Sequence, residues 1–586
     1  MSPDATSSSR KRSHPSSESS RPAYPRKRAA QACHTCRRRR TKCDNEQPAC
    51  TSCVKLEIEC VYQESDKLSF DAASLAILQR LDTARAIQHE PSLEDTTQSV
   101  RSATPERFLP SEVYSINIET TLEWPVLKVE HQGPRSGLKS IIQTGNLSSG
   151  PRLLSTSDLD ATDTGSLLQC FLKSFHIYNP VLEISRIEEY VKSTVYNGLG
   201  WGAGSCLSVF RVSSSQRADK KANHNQLLIF ALGTIAVPDD IRSDSETSLV
   251  FCQSDQFRRA ESFFLAAQQR MGPALCNSGI IEAQIFFLAG VYLMTTIRPF
   301  EAWRMFIQAL ACCQTLQPPS GDLQQEGSQI YRSIYWTCFK SELELRLELN
   351  IAENSVWNLQ YPEFFPAPPK SLQSQGEGTW YFYLAEIALR RLGNRILTHT
   401  CQFKPSESSI ADRVSKTIEF EQQAYSWLDS LPSSLRLEGS HYENINSCDE
   451  YAPLRFILNG YLLDCYETIY WPFMVDAIYG ILHNDLNSKT FARKGFEICV
   501  RRIKENEPGF RHRHHGTWLM LRSCTRSALV LLAAARSKLD DVLSVEWVVF
   551  VTKVMELLQY WKDEIPDAAD RLRILDELLK STHKPE

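Results

Sequence analysis

Six cysteines stand close together near the start of the chain in a repeated pattern. The motif Cys-x2-Cys-x6-Cys occurs twice, and six residues join the two copies. The cysteines are Cys33, Cys36, Cys43, Cys50, Cys53 and Cys60. Thiolate sulfur is a preferred ligand of Zn²⁺, which binds four ligands tetrahedrally at Zn–S distances of about 2.3 Å. The types and spacing of these residues therefore predict a metal centre.

The number of cysteines indicates how many ions the centre holds. A single four-coordinate ion would leave two of the six thiolates unused, and two separate ions would require eight ligands. Two Zn²⁺ ions that share two thiolates use all six cysteines and need no other ligand. We therefore predict a cofactor of two Zn²⁺ ions held by these six residues.

The distribution of cysteine along the chain favours metal binding over disulfide bonds. Of the 18 cysteines, six fall within residues 33–60 and the other twelve are scattered from Cys170 to Cys524. The N-terminal residues are basic and rich in Ser and Pro without an apolar stretch, so we expect no secretory signal. Inside the cell thiols remain reduced, and a dense block of cysteines there is typical of a metal site.

A strongly basic run follows the second cysteine of the first repeat. Its five cations are Arg37, Arg38, Arg39, Arg40 and Lys42. The equivalent run of the second repeat, residues 54–59, has the mixed sequence VKLEIE. Each run can form a short helix that leaves its metal-bound cysteine pair, but only the first can approach phosphates. Because Arg suits bidentate contact with guanine O6 and N7, we predict that the first run reads double-stranded DNA in the major groove.

Charge is divided unevenly between the start of the chain and its remainder. The 586 residues carry a net charge of −4, yet residues 1–42 carry +10 and the rest carries −14. A basic segment of this kind suits a polyanion, whereas the acidic remainder should repel one. The division predicts that nucleic acid binds at the N-terminal end only.

The chain divides into five segments by composition. Residues 1–30 contain nine Ser and four Pro and should form a disordered basic arm, because they offer little apolar surface to bury. Its clusters Arg10–Arg12 and Arg26–Arg28 have the spacing of a nuclear import signal and predict a nuclear protein. The other predicted segments are 31–62 (zinc module), 63–90 (short helix), 91–164 (linker, largely disordered) and 165–586 (all-α domain).

The segment 63–90 has two interpretations. Leu68, Leu75 and Leu78 fit positions a, a and d of a heptad, which would pair two copies of the chain as a coiled-coil homodimer. The next a and d positions hold Asp82 and Arg85, so the apolar seam ends. A short helix packed elsewhere is the alternative to the homodimer.

Helical periodicity dominates the C-terminal part of the chain, so the predicted fold class is mostly α. Apolar residues from Tyr381 to Ile396 recur at helical spacing, opposite Arg390, Arg391 and Arg395. Similar patterns predict helices at Ala260–Met271, Ile280–Met294, Tyr331–Leu349, Leu454–Tyr470 and Trp547–Trp561. A short extended piece is predicted at Trp124–Val129 within the linker. Uncharged apolar runs are well under the roughly 20 residues that cross a bilayer, so we expect no membrane contact.

The cysteine block resembles the fungal Zn₂Cys₆ binuclear-cluster transcription regulators and matches their cysteine spacing throughout. The resemblance implies that Cys33 and Cys50 are the bridging thiolates and that Pro48 shapes the loop between the two halves. It also implies that Arg39 and Arg40 lie at the base edges of a CGG-like triplet, with Arg37 and Lys42 nearer the backbone. The family usually has Lys where this chain has Arg40, and an aliphatic residue where it has Thr41.

Several segments of the helical part look like the regulatory middle homology region of the same family. They are FHIYNPVLEISRIEEYV (175–191), YLMTTIRPFEAWRMFIQAL (292–310), RSIYWTCFKSELELRLELN (332–350) and HHGTWLMLRSC (514–524). This likeness implies a nuclear regulator of RNA polymerase II transcription, which works with the transcription machinery on a metabolic or secondary-metabolite gene set.

A different class of function, a helical enzyme or ligand-binding protein with an accessory zinc module, has weaker support in the sequence. The glycines of Gly198–Ala203 lack a preceding buried strand, and the acidic residues around Asp239 and Asp240 are spaced unlike a catalytic metal cluster. His512, His514 and His515 in the RHRHH run at 511–515 could bind a metal, but the run is more typical of an exposed loop before a helix beginning near Thr517. We therefore predict that the protein is not an enzyme.

Overall fold

The computed structural model describes two compact units, residues 1–70 and residues 71–586. In the first unit it describes Cys36, Thr41, Cys43, residues 49–56, Ile58 and Cys60. In the second it describes 114–128, 163–188, 224–236, 247–315, 326–349, Pro366, 377–402, 409–437 and 449–582, apart from positions 185, 186, 278 and 484. The predicted basic arm and the predicted helix at 63–90 lie outside the described residues.

The first unit contains one described helix, α1 (Thr51–Lys55). Cys50 precedes it in an extended conformation, and its sulfur accepts a hydrogen bond from the backbone N–H of Cys53. An N-cap residue that satisfies a first-turn N–H in this way starts a helix. A metal-ligand residue therefore also fixes where α1 begins.

The described part of the second unit is built from helices and contains no strand. In chain order they are α2 (Ile118–Leu122), α3 (Thr164–Phe171), α4 (His224–Ala236), α5 (Leu249–Cys252), α6 (Asp255–Gln268), α7 (Ile280–Thr295), α8 (Pro299–Thr315), α9 (Glu326–Glu348), α10 (Glu377–Gln402), α11 (Ile410–Asp429), α12 (Ala452–Ile478), α13 (Leu486–Asn506), α14 (Thr517–Arg536), α15 (Trp547–Trp561) and α16 (Pro566–Thr582). The mostly α fold is confirmed. The helix predicted at Trp547–Trp561 is present with the same ends, and the helices predicted at Ala260–Met271, Ile280–Met294, Tyr331–Leu349, Tyr381–Ile396 and Leu454–Tyr470 are present with shifted ends.

Local sequence sets several helix ends. Ser409 and Asp412 form a reciprocal capping box at the start of α11, and Asp485 caps α13 by accepting from the N–H of Ser488. Helix α12 ends where Gly480 adopts a left-handed conformation (φ 69°), and the N–H of Ile481 then reaches the carbonyl of Asp476. Glycine adopts this conformation without the steric cost that a Cβ imposes.

Two hydrophobic cores fill the second unit, and α10 lies between them. Ala385 and Leu389 belong to one core, which joins α10 to α11–α16. Tyr383 and Ile387 belong to the other, which joins α10 to α3, α4 and α6–α9. The sequence predicted one apolar stripe on α10 with arginines opposite, but Arg390 on that opposite side is largely buried, where it pairs with Glu344 of α9 and donates to the Tyr461 hydroxyl of α12.

Among the described helices, one, α14, is long and apolar enough by length and composition to span a membrane. Within the second unit, however, 83% of its most apolar window is buried. It also carries Arg522 and Arg526, both buried in ion pairs with carboxylates of neighbouring helices. The helix is therefore packed as the central element of a helical core.

Residues 114–128 pack against the helical domain, although they lie inside the predicted linker. Trp124 is 2% exposed, and its ring lies 5.7 Å from that of Trp471. The Tyr114 hydroxyl donates to Asp476 at 2.7 Å, and Glu119 pairs bidentately with Arg522 at 2.7 and 3.0 Å. The extended piece predicted at Trp124–Val129 is wrong, because a 3₁₀ turn at Pro125–Leu127 occupies most of this segment. We name residues 114–128 the docked segment.

We expect Trp124→Ala to destabilise the helical domain by about 3–5 kcal/mol, the range for removing a buried Trp side chain. The midpoint of urea unfolding of the full chain, followed by far-UV circular dichroism, should fall accordingly. Tyr425 is 67% exposed, so Tyr425→Ala should shift stability by less than about 0.5 kcal/mol. Equal midpoints for the two variants would show that the docked segment does not pack on the domain in solution.

Candidate metal centre and nucleic-acid interface

The metal centre is assembled around the N-terminus of α1. Cys50 is the N-cap of this helix and Cys53 lies in its first turn. The chain comes back to the N-cap at Cys60, whose sulfur contacts the backbone of Cys50. The backbone N–H of Cys50 donates to the sulfur of Cys60 at 3.2 Å, and that of Cys53 donates to the sulfur of Cys50 at 3.4 Å. Hydrogen bonds donated to sulfur favour the thiolate, which is the form that binds metal.

The sulfur atoms form two groups with one member in common. Cys36, Cys43 and Cys50 make the first group, and Cys50, Cys53 and Cys60 make the second, with ligand atoms of each group within 4.8 Å of one another. The sulfur of Cys36 lies 3.6 Å from that of Cys50 and 4.0 Å from that of Cys53. Tetrahedral zinc with Zn–S bonds of about 2.3 Å requires sulfur separations of roughly 3.8 Å. The described sulfurs therefore fit zinc, and Cys50 is placed to serve both groups.

The buried side chains among the described residues of this unit are all cysteines. Cys36, Cys50 and Cys53 are buried, whereas Cys43 and Cys60 are partly exposed. Among the described residues of the unit, no other side chain is buried. Because these residues offer no apolar core, metal–sulfur bonds must supply much of the folding energy of this part of the unit.

The two copies of the sequence repeat share a backbone hydrogen bond at equivalent positions. The carbonyl of Cys36 accepts from the N–H of Thr41 at 3.0 Å, and the carbonyl of Cys53 accepts from the N–H of Ile58 at 3.2 Å. Both bonds join the second cysteine of a repeat to the residue five positions later. The two halves thus fold alike at the points where both are described.

The predicted ligand Cys33 and the predicted DNA-contacting residues Arg37, Arg38, Arg39, Arg40 and Lys42 lie outside the described residues. In the second repeat, Val54, Lys55 and Leu56 are exposed. The run that leaves the second cysteine of a repeat therefore faces away from the sulfurs where it is described.

The histidine run at 511–515 differs from its prediction as an exposed loop. The helix after it begins at Thr517 as predicted, but His514 and His515 are only partly exposed. Burial lowers the pKa of His514 to about 3, with further lowering by His515 and His512, and burial lowers the pKa of His515 to about 4. Their Nδ1 and Nε2 atoms meet no metal-binding group among the described residues. The predicted alternatives at Gly198–Ala203 and Asp239–Asp244 lie outside the described residues.

Comparison with known proteins supports the interpretation of the cysteines. Residues 31–69 match the fungal Zn(2)-Cys(6) binuclear cluster domain. "Putative transcription factor ecdB" of Aspergillus rugulosus is 23% identical over 514 residues, covering 78% of this chain and 80% of that protein. "Transcription factor FBD3" of Gibberella moniliformis is 40% identical over 50 residues, 8% of this chain and 7% of that protein. A protein of Schizosaccharomyces pombe named as an uncharacterized transcriptional regulatory protein is 18% identical over 472 residues, 70% of this chain and 58% of its own length.

The sharing of Cys50 predicts unequal effects of removing single cysteines. Cys50→Ala should reduce the zinc content of the full chain from two ions toward none, because each sulfur group loses a ligand. Cys43→Ala should retain about one ion, because Cys43 belongs to a single group. Elemental analysis by mass spectrometry measures both.

Cys276→Ala is the matched control, because Cys276 is an exposed cysteine of the second unit. It should keep two ions. Equal zinc content in the Cys50 and Cys43 variants would contradict a shared thiolate at Cys50.

Proposed function

This chain is a DNA-binding transcription regulator with a fungal Zn(2)-Cys(6) binuclear cluster domain at residues 31–69, and we propose that it binds DNA through the basic run of the first cysteine repeat. The basic run of the first repeat enters the major groove of double-stranded DNA and recognises CGG-like triplets. The observation that carries this proposal is the contrast between two halves that share backbone geometry but differ in charge.

All six cysteines, in this proposal, hold the two Zn²⁺ ions, with Cys33 and Cys50 as the bridging ligands. Cys50 belongs to both described sulfur groups, which supports its bridging role. Cys33 occupies the position in the first repeat that Cys50 occupies in the second. The repeat therefore favours the same role for Cys33.

Within the basic run, Arg39 and Arg40 read base edges, while Arg37 and Lys42 contact the phosphate backbone. Arg38 adds to the positive field of the run. The corresponding residues of the second repeat include Glu57 and Glu59, whose carboxylates would be repelled by phosphate. The second half therefore completes the metal centre without contributing to recognition.

The domain arrangement follows from the same division. Residues 1–30 are the basic arm, 31–62 bind zinc and DNA, and 63–90 are the segment where two copies would pair as a homodimer. The helical domain regulates this module in the nucleus together with the RNA polymerase II machinery, on a metabolic gene set, and does not catalyse a reaction. The docked segment supports a start of the helical domain near residue 114, earlier than the predicted 165.

Single substitutions should distinguish the residues that read bases from those that contact phosphate. Arg40→Ala should lose on the order of 1–3 kcal/mol of affinity for the preferred site and relax the choice of triplet. Lys42→Ala should weaken binding to all sequences alike and reduce the salt slope of log affinity by about one. Selection of binding sites from random DNA at two salt concentrations measures both effects.

Lys55→Ala is the control for these substitutions, because Lys55 is the basic residue of the second repeat that corresponds to Arg38. Arg38→Ala should lower affinity for DNA, whereas Lys55→Ala should leave both affinity and preference unchanged. If every variant loses equally on specific and random DNA, the basic run is only an electrostatic anchor and recognition lies elsewhere.

The basic arm should direct the protein to the nucleus. Replacing Arg10–Arg12 and Arg26–Arg28 together with Ala should move a fluorescently tagged full chain toward the cytoplasm, because the two import clusters are lost. Replacing the exposed Arg258 and Lys580 with Ala controls for the loss of basic residues elsewhere. An unchanged nuclear signal in the arm variant would refute this role.

A further inference from the structure

A half-open cavity of about 270 Å³ lies where the two hydrophobic cores of the helical domain meet. Its walls come from α9, α10, α12, α13 and α14, together with the turn that precedes α14. The docked segment contributes Ile116. The volume is near the lower limit of small-molecule sites, which also tend to lie between packed helices.

Most of the cavity wall is apolar. Side chains that line it include Trp336, Phe339, Leu343, Phe456, Leu519 and Met520. Such a surface favours the apolar body of a ligand over water, since burying apolar area is the main driving force of association.

The charged groups of the wall are already paired with one another. Arg390 pairs with Glu344 at 2.9 Å and donates to the Tyr461 hydroxyl. Arg502 pairs with Asp464 at 2.7 Å and with Glu467 at 2.8 Å. These pairs hold the side chains in place, so the cavity is shaped before any ligand enters.

Two buried donors of the cavity wall lack acceptors among the described residues. His514 accepts the Gly516 N–H at Nδ1 (3.0 Å), which leaves the proton of a neutral imidazole on Nε2. That Nε2 and the Nε of Arg502, a residue 1% exposed, are buried without a hydrogen-bond partner. Buried donors are normally satisfied, because leaving one unpaired forfeits its hydrogen bond to water without replacement. Because both residues line the cavity, an oxygen acceptor bound there is the group that would satisfy these donors.

We propose that this cavity binds a small organic molecule with an apolar, ring-containing body and an oxygen acceptor group such as a carbonyl, carboxylate or sulfonate. The body lies against the aromatic and aliphatic wall, and the oxygens accept from His514 Nε2 and Arg502 Nε. Such a ligand would bind the helical domain, at a site separate from the residues proposed to recognise DNA.

Gly460 provides a variant that fills the cavity without disturbing the fold. It lies in α12 and lines the cavity, and a Cβ built there meets no atom within 4 Å. A side chain at a helical Gly also improves helix propensity. Gly460→Phe should therefore occupy the cavity while leaving the thermal midpoint equal or higher. Gly165→Phe is the matched control, because Gly165 is a helical glycine that is exposed and equally free of contacts.

The probe is 8-anilinonaphthalene-1-sulfonate, which combines an aromatic body with acceptor oxygens and fluoresces when it leaves water. With the full chain we expect one saturable site. Gly460→Phe should weaken probe binding at least tenfold, whereas Gly165→Phe should bind like the unaltered chain. Absence of saturable binding, or equal binding to the Gly460 variant, would overturn the proposal and indicate a cavity that holds water only.

A second probe, N-phenyl-1-naphthylamine, has a similar body without the sulfonate and tests the acceptor. His514→Asn keeps an oxygen that can accept the Gly516 N–H but removes the Nε2 donor. It should weaken binding of the sulfonate probe several-fold and leave binding of the amine probe unchanged. Equal weakening of both probes, or of neither, would refute the role of His514 as the donor. DNA affinity plays no part in these measurements, so their outcome is independent of the proposed DNA recognition.

Discussion

The sulfur of Cys50 is the atom on which the zinc module depends. It caps α1, accepts the N–H of Cys53 and belongs to both sulfur groups. No other kind of residue is buried among the described positions of this unit, so folding and metal binding are one process. A shared thiolate also sets the distance between the two halves, and thereby where a basic run beside one of them can reach. In the proposed mode of binding, recognition of DNA therefore depends on metal geometry.

A second constraint governs the helical domain, because it buries charge in its interior. Glu467 is 1% exposed between Arg502 and Arg526. Although burial raises the pKa of Glu467, the guanidinium groups of Arg526 and Arg502 lower it below its ordinary value. Removing one member of such a group leaves a buried charge uncompensated, which costs more than the group contributes to stability. The arrangement of α12, α13 and α14 is therefore held by a requirement for mutual neutralisation as well as by packing.

The sequence alone predicted the features that depend on residues close together in the chain. Cysteine spacing predicted the metal chemistry. Periodicity of 3.6 residues predicted both ends of α15 and placed the end of α7 one residue early. It failed where a partner distant in the chain decides the outcome. Trp124 lies in a segment with the composition of a linker, and only Trp471 and the adjoining core bury it. His514 follows a run of basic residues that indicates exposure, yet it is only partly exposed, and its ring lies 6.4 Å from that of Phe456 on α12. The donors of the cavity belong to no linear motif.

Ile116 connects the proposed ligand site with the docked segment, residues 114–128. It belongs to the docked segment, which precedes the helical domain and follows the zinc module in the sequence, and it lines the cavity. A ligand that binds only when Ile116 is in place stabilises docking by RT ln(1 + [L]/Kd), about 2.7 kcal/mol at a hundredfold excess over Kd. Glu119 and Trp124 already hold the segment by an ion pair and by aromatic packing, so the ligand would strengthen a docked state that exists without it. Given the proposed ligand, occupancy of the cavity and docking of residues 114–128 are thermodynamically coupled, so a substitution that weakens one should weaken the other.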